Sequence, residues 1–124
     1  MGARARRLVA MAHVGDVERS IAFYADLGFT AANRVVPPGG RPVWAWLQSA
    51  AADLMLSLAS GPVDAGQQAV LFYVYVDDVV AARAALVAAG HAPGPLRHPF
   101  YMPDGEFRLE DPDGYVLMLA QSPS

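Results

Sequence analysis

The stretch Leu8–Gly28, LVAMAHVGDVERSIAFYADLG, and its echo Val70–Gly90, VLFYVYVDDVVAARAALVAAG, decide the architecture of this chain. Each opens on a run of apolar residues that predicts a strand, ends that run at an aspartate, and continues at helical spacing to a glycine. In the first copy Val17, Ile21, Tyr24 and Leu27 recur at helical intervals, Asp16 is suited to cap the helix start, and Gly28 to close its end. In the second copy Asp78 and Gly90 hold the same places around Val79–Ala89. The offset is constant: Val14 to Val76, Asp16 to Asp78, Gly28 to Gly90, Pro37 to Pro99 and Leu47 to Leu109 are each 62 residues apart. One matched glycine pair could be chance, but five landmarks in one register describe an internal repeat.

Each copy continues with strand signals. In the first, Phe29–Val36 is broken by Pro37-Pro38-Gly39-Gly40, then Pro42–Leu47 and Leu54–Leu58 follow around a turn of small residues. In the second, His91–Arg97 leads to a loop, Glu106–Glu110 runs into the turn Asp111-Pro112-Asp113-Gly114, and Tyr115–Ala120 closes the chain. The order is βαβββ twice, an α+β fold, with module one over about residues 7–60, module two over about 68–121, and Ser60–Gln68 as the connection. A module of about 60 residues buries too little surface to be comfortable alone, so the expectation is one domain over residues 1–124.

Composition narrows function by exclusion. The 124 residues are 54% hydrophobic and 17% charged, with net charge −3 and no block of like charges in the body of the chain, which argues against a nucleic-acid partner. The basic cluster Arg4, Arg6 and Arg7 precedes an apolar run too short and too soon interrupted for a secretory signal, and no run approaches the ~20 residues of a membrane span. The absence of cysteine removes disulfides, thiol nucleophiles and thiolate metal sites. A cytoplasmic protein is the default expectation.

The phrase Phe23-Tyr24-Ala25-Asp26-Leu27-Gly28-Phe29 resembles the helix-to-strand passage of the vicinal oxygen chelate superfamily, and Glu110-Asp111-Pro112-Asp113-Gly114-Tyr115 resembles its hairpin near the C-terminus. That superfamily includes glyoxalase I, fosfomycin-resistance enzymes, extradiol dioxygenases and bleomycin-resistance binding proteins. The resemblance implies a half-barrel sheet around a central cavity. It also implies a divalent metal held by His, Glu or Gln at one position on each of four strands. Mapped through the motifs and the 62-residue offset, those positions are Val9, Leu56, Leu71 and Met118. Valine and leucine have no lone pair for a metal and a thioether suits soft ions, so the expectation is no metal and no other cofactor.

Strand phase then populates the cavity. His13 shares phase with Val9 and Met11, a position that contacts substrate in glyoxalases, although a hydrogen-bonded structural histidine reads equally well. His91 and His98 read as surface or loop residues. Tyr73 and Tyr75 alternate with Leu71, and in fosfomycin-resistance enzymes the position ten before the last ligand, here Arg108, faces substrate. Glu106 is in phase with Arg108, and subtracting 62 gives Trp44 and Trp46. The alternatives are that the tryptophans are core, that Glu106 and Arg108 form a surface pair, or that Phe107 and Leu109 face the cavity after a one-residue slip. Phe100 and Tyr101, in a loop broken by Pro99, Pro103 and Gly105, read as lid residues or as a loop packed on its own domain.

The expected ligand set is therefore His13, Trp44, Trp46, Tyr73, Tyr75, Phe100, Tyr101, Glu106, Arg108 and Met118. The function that the resemblance and these residues imply is a homodimeric, metal-free small-molecule binder of the bleomycin-resistance type, sequestering or sensing a flat aromatic ligand with an anionic or carbonyl group for Arg108. The alternatives are a superfamily lyase, transferase or dioxygenase, and a cofactor-free enzyme with His13, Glu106 or Tyr75 as acid or base.

Overall fold

The computed structural model describes residues 2–67 and 69–123 and divides the chain into two compact units, Met1–Val63 and Asp64–Ser124. Each is an α+β unit with one helix and one sheet of its own.

Unit one contains strand β1 (Ala10–Val14), helix α1 (Val17–Ala25) and strands β2 (Thr30–Val35), β3 (Trp44–Ser49) and β4 (Ala52–Leu58). The sheet order is β1-β4-β3-β2, with β1 parallel to β4 and the other pairs antiparallel. Asp16 caps α1 by accepting the backbone N–H of Arg19 at 3.1 Å, and its carboxyl lies below the usual carboxylate range through that bond and the nearby Arg41 guanidinium. The helix closes with Gly28 at φ 90° and the Phe29 N–H bonded back to the Tyr24 carbonyl at 3.1 Å. That six-to-one bond needs a left-handed residue before it, which is why a glycine stands there.

Unit two repeats the scheme with β5 (Phe72–Val76), α2 (Val79–Ala88), β6 (Glu106–Glu110) and β7 (Val116–Gln121), in sheet order β5-β7-β6. Asp78 caps α2 through Ala81 N–H at 3.0 Å, Gly90 sits at φ 94°, and His91 N–H reaches the Leu86 carbonyl at 3.0 Å. Gln121 adds a clasp that the first unit lacks: its amide accepts from the Val79 N–H at 3.0 Å and donates to the Asp77 carbonyl at 2.7 Å.

The strand expected at His91–Arg97 does not form. The segment meets β6 through a bridge between Arg97 and Glu106 and a bond from Gly94 N–H to the Arg108 carbonyl at 2.8 Å. Pro93 and Pro95 carry no N–H and so cannot extend that ladder. Among the described residues there are therefore seven strands, and the sheet of unit two has three. Smaller differences lie at element ends. Strands β1 and β5 begin at Ala10 and Phe72, later than read from sequence, and the connection contains a short 3-10 turn at Ala65–Gln67. Gln68, the last residue of the expected connection and the first of the expected second module, lies outside the described residues.

In each unit one sheet face packs under its helix and the other is free of it. The helix-facing side of unit one carries Ala12, Val14, Ala45, Leu47, Leu54 and Leu56, all buried, with Phe23 and Tyr24 of α1 meeting edge to face at 5.1 Å. The helix-facing side of unit two carries Phe107, Leu109, Leu117 and Leu119, with Val79 and Leu86 from α2. The opposite faces hold the candidate functional residues.

Candidate functional site

Strand register fixes which side chains share the helix-free faces. In unit one, Met11 of β1 lies beside Met55 of β4, which lies beside Trp46 of β3. One step along, His13 lies beside Ser57 and Ser57 beside Trp44. In unit two, Tyr73 of β5 lies beside Met118 of β7 and Met118 beside Arg108 of β6, with Tyr75, Ala120 and Glu106 forming the next row. Side chains paired this way point to one face. His13, Trp44 and Trp46 thus share one face of unit one. Tyr73, Tyr75, Glu106, Arg108 and Met118 share one face of unit two, and the slip that would have turned Phe107 and Leu109 outward does not occur.

Leu56 is the residue misplaced from sequence. It is fully buried on the helix-facing side, paired with Ala12 and Ala45, and Met55 holds the place on the free face. The cause is a hairpin one residue shorter in unit one. Trp46 pairs with Met55 nine positions on, whereas Arg108 pairs with Met118 ten positions on. The 62-residue offset therefore becomes 63 at the last strand, and a one-residue slip exchanges the faces. In place of a glycine-bearing turn, unit one turns at Ala50, held at φ 48°. The corrected set at the family's metal-ligand positions is Val9, Met55, Leu71 and Met118. None supplies a nitrogen or oxygen donor, so these residues do not fit a hard divalent ion. Among the described residues no three His, Asp or Glu side chains cluster so as to hold one elsewhere.

The free face of unit one is organised by a residue that sequence reading did not single out. Asp53 at the start of β4 accepts the indole N–H of Trp46 at 2.8 Å and the amide of Gln48 at 3.0 Å on one oxygen, and the Arg7 guanidinium at 2.7 Å on the other. Those hydrogen bonds, Trp46 first, then Gln48 and Arg7, hold the Asp53 carboxyl below its ordinary range. Arg7 also lies over the Trp46 ring, 5.3 Å from its centroid. Trp44 meets Trp46 edge to face at 6.4 Å, and both are half-buried. The alternation of Asp53 with Met55 was a usable signal for the carboxylate; the arm that brings Arg7 across has no regular pattern to betray it.

The free face of unit two has a different charge arrangement. Glu106 is buried, 4% exposed, and its two carboxylate oxygens accept the phenol of Tyr73 at 3.2 Å and that of Tyr101 at 3.4 Å. Loss of solvent and the bond to Glu106 raise the Tyr73 phenol above its ordinary value, which keeps it a donor. Tyr73 stacks on Tyr75 with centroids 6.2 Å apart, and Phe100 meets Tyr101 edge to face at 5.4 Å. All four rings are exposed, Phe100 most of all at 94%. The loop carrying Phe100 and Tyr101 is thus tied to the face through one phenol. His98 stays at the loop base, its Nδ1 2.9 Å from the Pro103 carbonyl oxygen. Arg108 does not pair with Glu106; its guanidinium donates to Glu110 at 3.1 Å, both half-exposed. A separate cleft of about 410 Å³ on the outer side of β6 is lined by His91, Gly94, Arg108 and Glu110 among others, where a fourth strand would have run.

Two βαβ-based units, each with an aromatic helix-free face, define the class of fold to which the chain belongs. Residues 8–119 match the family model of the Glyoxalase/Bleomycin resistance protein/Dioxygenase superfamily, and the chain is a member of that superfamily. Among solved structures it is similar to a bleomycin resistance determinant encoded on the transposon Tn5, with TM-score 0.77 and 19% identity over 97% of this chain and 100% of that one. A bleomycin-binding protein complexed with bleomycin follows at TM-score 0.74 and 20% identity over 96% and 100%. TnmS3, an antibiotic binding protein from Streptomyces sp. CB03234, gives TM-score 0.74 and 25% identity over 99% and 100%. No match is found among curated proteins. No helix among the described residues is long and apolar enough to cross a membrane.

Proposed function

We propose that this chain is a small-molecule binding protein that sequesters a flat aromatic ligand without a resident metal. The observation that carries the reading is the chemistry of the helix-free faces, where large rings stand exposed or half-buried beside a few fixed polar groups: Trp44 and Trp46 in one unit, Tyr73 and Tyr75 in the other. Exposed aromatic surface gathered on one face of a sheet costs solvation unless something covers it, and a planar ligand recovers that cost by stacking. Hydrogen bonds that fix the rings beforehand, Asp53 to Trp46 and Glu106 to Tyr73, reduce what binding must order. His13 adds to the proposed contacts on the face of unit one, and Met118, Phe100, Tyr101 and Arg108 add to those of unit two. The similarity to bleomycin-binding and antibiotic-binding proteins supports the same reading, as do the four donor-free residues at the metal positions.

Trp44 and Trp46 are the chain's two tryptophans, so intrinsic fluorescence reports this wall directly. The expected result is saturable quenching by at least one compound of an antibiotic and aromatic-metabolite panel, unchanged after exhaustive chelation. One tightly held divalent metal per chain, whose removal abolishes binding, would overturn the metal-free reading and return the chain to the superfamily's enzymes. We further propose that it works as a cytoplasmic homodimer; a monomeric mass by light scattering at micromolar concentration would refute the dimer.

A further inference from the structure

We propose that Glu106 and the rings around it form a subsite for an organic cation, an ammonium or amidinium group borne by the ligand. The inference rests on the aromatic-ligand reading above and adds a positive charge to the ligand, where the sequence reading expects an anionic or carbonyl group opposite Arg108.

Two independent observations meet here. The first is a buried carboxylate with no cation. Glu106 is 4% exposed, and among the described residues no Arg, Lys or His nitrogen lies within ion-pair distance of it. Buried carboxylates are ordinarily paired, because two neutral donors replace the lost hydration of a full charge poorly. The donors it has are weakly seated: phenol to carboxylate bonds are normally about 2.5–2.7 Å, against 3.2 and 3.4 Å here. A carboxylate offers about four lone-pair positions, and the phenols use two. Two arginines share its face: Arg97, bridged to Glu106 through the backbone, is exposed and makes no ion pair with it, and Arg108, two residues along the same strand, turns to Glu110. Glu110 competes there with any anion that Arg108 would hold.

The second observation is the aromatic cluster. Tyr73, Tyr75, Phe100 and Tyr101 are 42%, 54%, 94% and 59% exposed, and they gather around the same carboxylate through Tyr73 and Tyr101. Ring faces carry partial negative charge and attract cations within about 6 Å. An anion beside Glu106 meets repulsion from both the carboxylate and the ring faces. A neutral ring gains stacking alone. A cation gains the ring faces and the field of Glu106 together.

The test uses the full chain with ring-¹³C tyrosine, titrated by NMR with benzyltrimethylammonium chloride, benzyl alcohol and sodium benzylsulfonate. The expected result is saturable shifting of the Tyr73 and Tyr101 resonances by the ammonium. Glu106→Gln, which keeps an acceptor for a phenol, should bind it roughly tenfold or more weakly. Equal binding of alcohol and ammonium, unchanged affinity in Glu106→Gln, preference for the sulfonate, or no saturable shift each overturns the cation subsite. Where Glu106→Gln fails to melt cooperatively, the three-probe comparison on the unaltered chain decides. Alcohol binding as tightly as ammonium would leave the aromatic-ligand reading standing. Failure of every aromatic probe here and of the fluorescence panel would remove that reading as well.

Discussion

Truncating two neighbouring residues, Met55 and Leu56, tests the register of the last strand of unit one. Leu56→Ala removes a fully buried side chain whose in-register neighbours on both sides are alanines, Ala12 and Ala45. Neither flank has a long side chain able to lean into the gap, so most of the vacated volume stays open. Leucine-to-alanine changes in cores cost about 2–5 kcal/mol, rising with the cavity that remains, and this site belongs in the upper half, at about 3–4 kcal/mol. Met55→Ala acts on the other face, beside Met11 and Trp46, where the side chain is half-buried and solvent can fill the space; its cost should stay below about 1 kcal/mol.

For a chain of this length each kcal/mol moves the melting temperature by about 4 °C, so Leu56→Ala should melt about 12–16 °C below the parent and Met55→Ala within about 4 °C of it. Urea unfolding at constant m-value supplies the free energies themselves. Met55→Ala costing as much as Leu56→Ala, or more, would refute the shortened hairpin and restore Leu56 to the free face. Ligand binding should separate the two in the opposite sense, with the Met55 variant the one whose tryptophan quenching changes.

Two further outcomes follow from single side chains. Ser20 is fully buried in α1 with a hydroxyl that finds no partner among the described residues, so Ser20→Ala should stabilise by about 0.5–1.5 kcal/mol in urea unfolding; a net loss would show that the hydroxyl is satisfied. Asp53 has a folded pKa below its ordinary 3.8, so its stabilising effect is full well above 3.8 and is lost as pH falls from there through the lowered folded value. Asp53→Asn should therefore melt below the parent at neutral pH, with the gap closing in acid; a gap independent of pH would disprove the charge linkage.

Much of this molecule was legible because its local signals agree. Asp16 and Asp78, then Gly28 and Gly90, punctuate two helices at one offset, and alternation along β5, β6 and β7 groups Tyr73, Tyr75, Glu106, Arg108 and Met118 as the strand register does. What escaped has physical causes. Ser49-Ala50-Ala51-Ala52 carries no glycine or asparagine to fix a turn type, so its two-residue length was invisible and Leu56 inherited the wrong face. His91–Arg97 has acceptable side chains for a strand, but Pro93 and Pro95 remove the donors that a ladder needs. The reach of Arg7 to Asp53 and Trp46 spans an irregular arm, and no periodicity encodes it.

The two units then reveal one device in two states. In each, a carboxylate on or beside the free face fixes an aromatic ring by accepting its polar hydrogen: Asp53 holds the indole of Trp46, and Glu106 holds the phenols of Tyr73 and Tyr101. Unit one supplies its own cation, for Arg7 bonds Asp53 at 2.7 Å while lying 5.3 Å over the ring that Asp53 fixes. That arrangement meets both the anion and the ring face with one guanidinium. Unit two presents the same pair of partners, a ring-fixing carboxylate and exposed ring faces, with Arg108 turned to Glu110 and Arg97 bridged to Glu106 through the backbone alone. Unit one is thus a worked example of the arrangement proposed for unit two, where no arginine pairs with the ring-fixing carboxylate among the described residues.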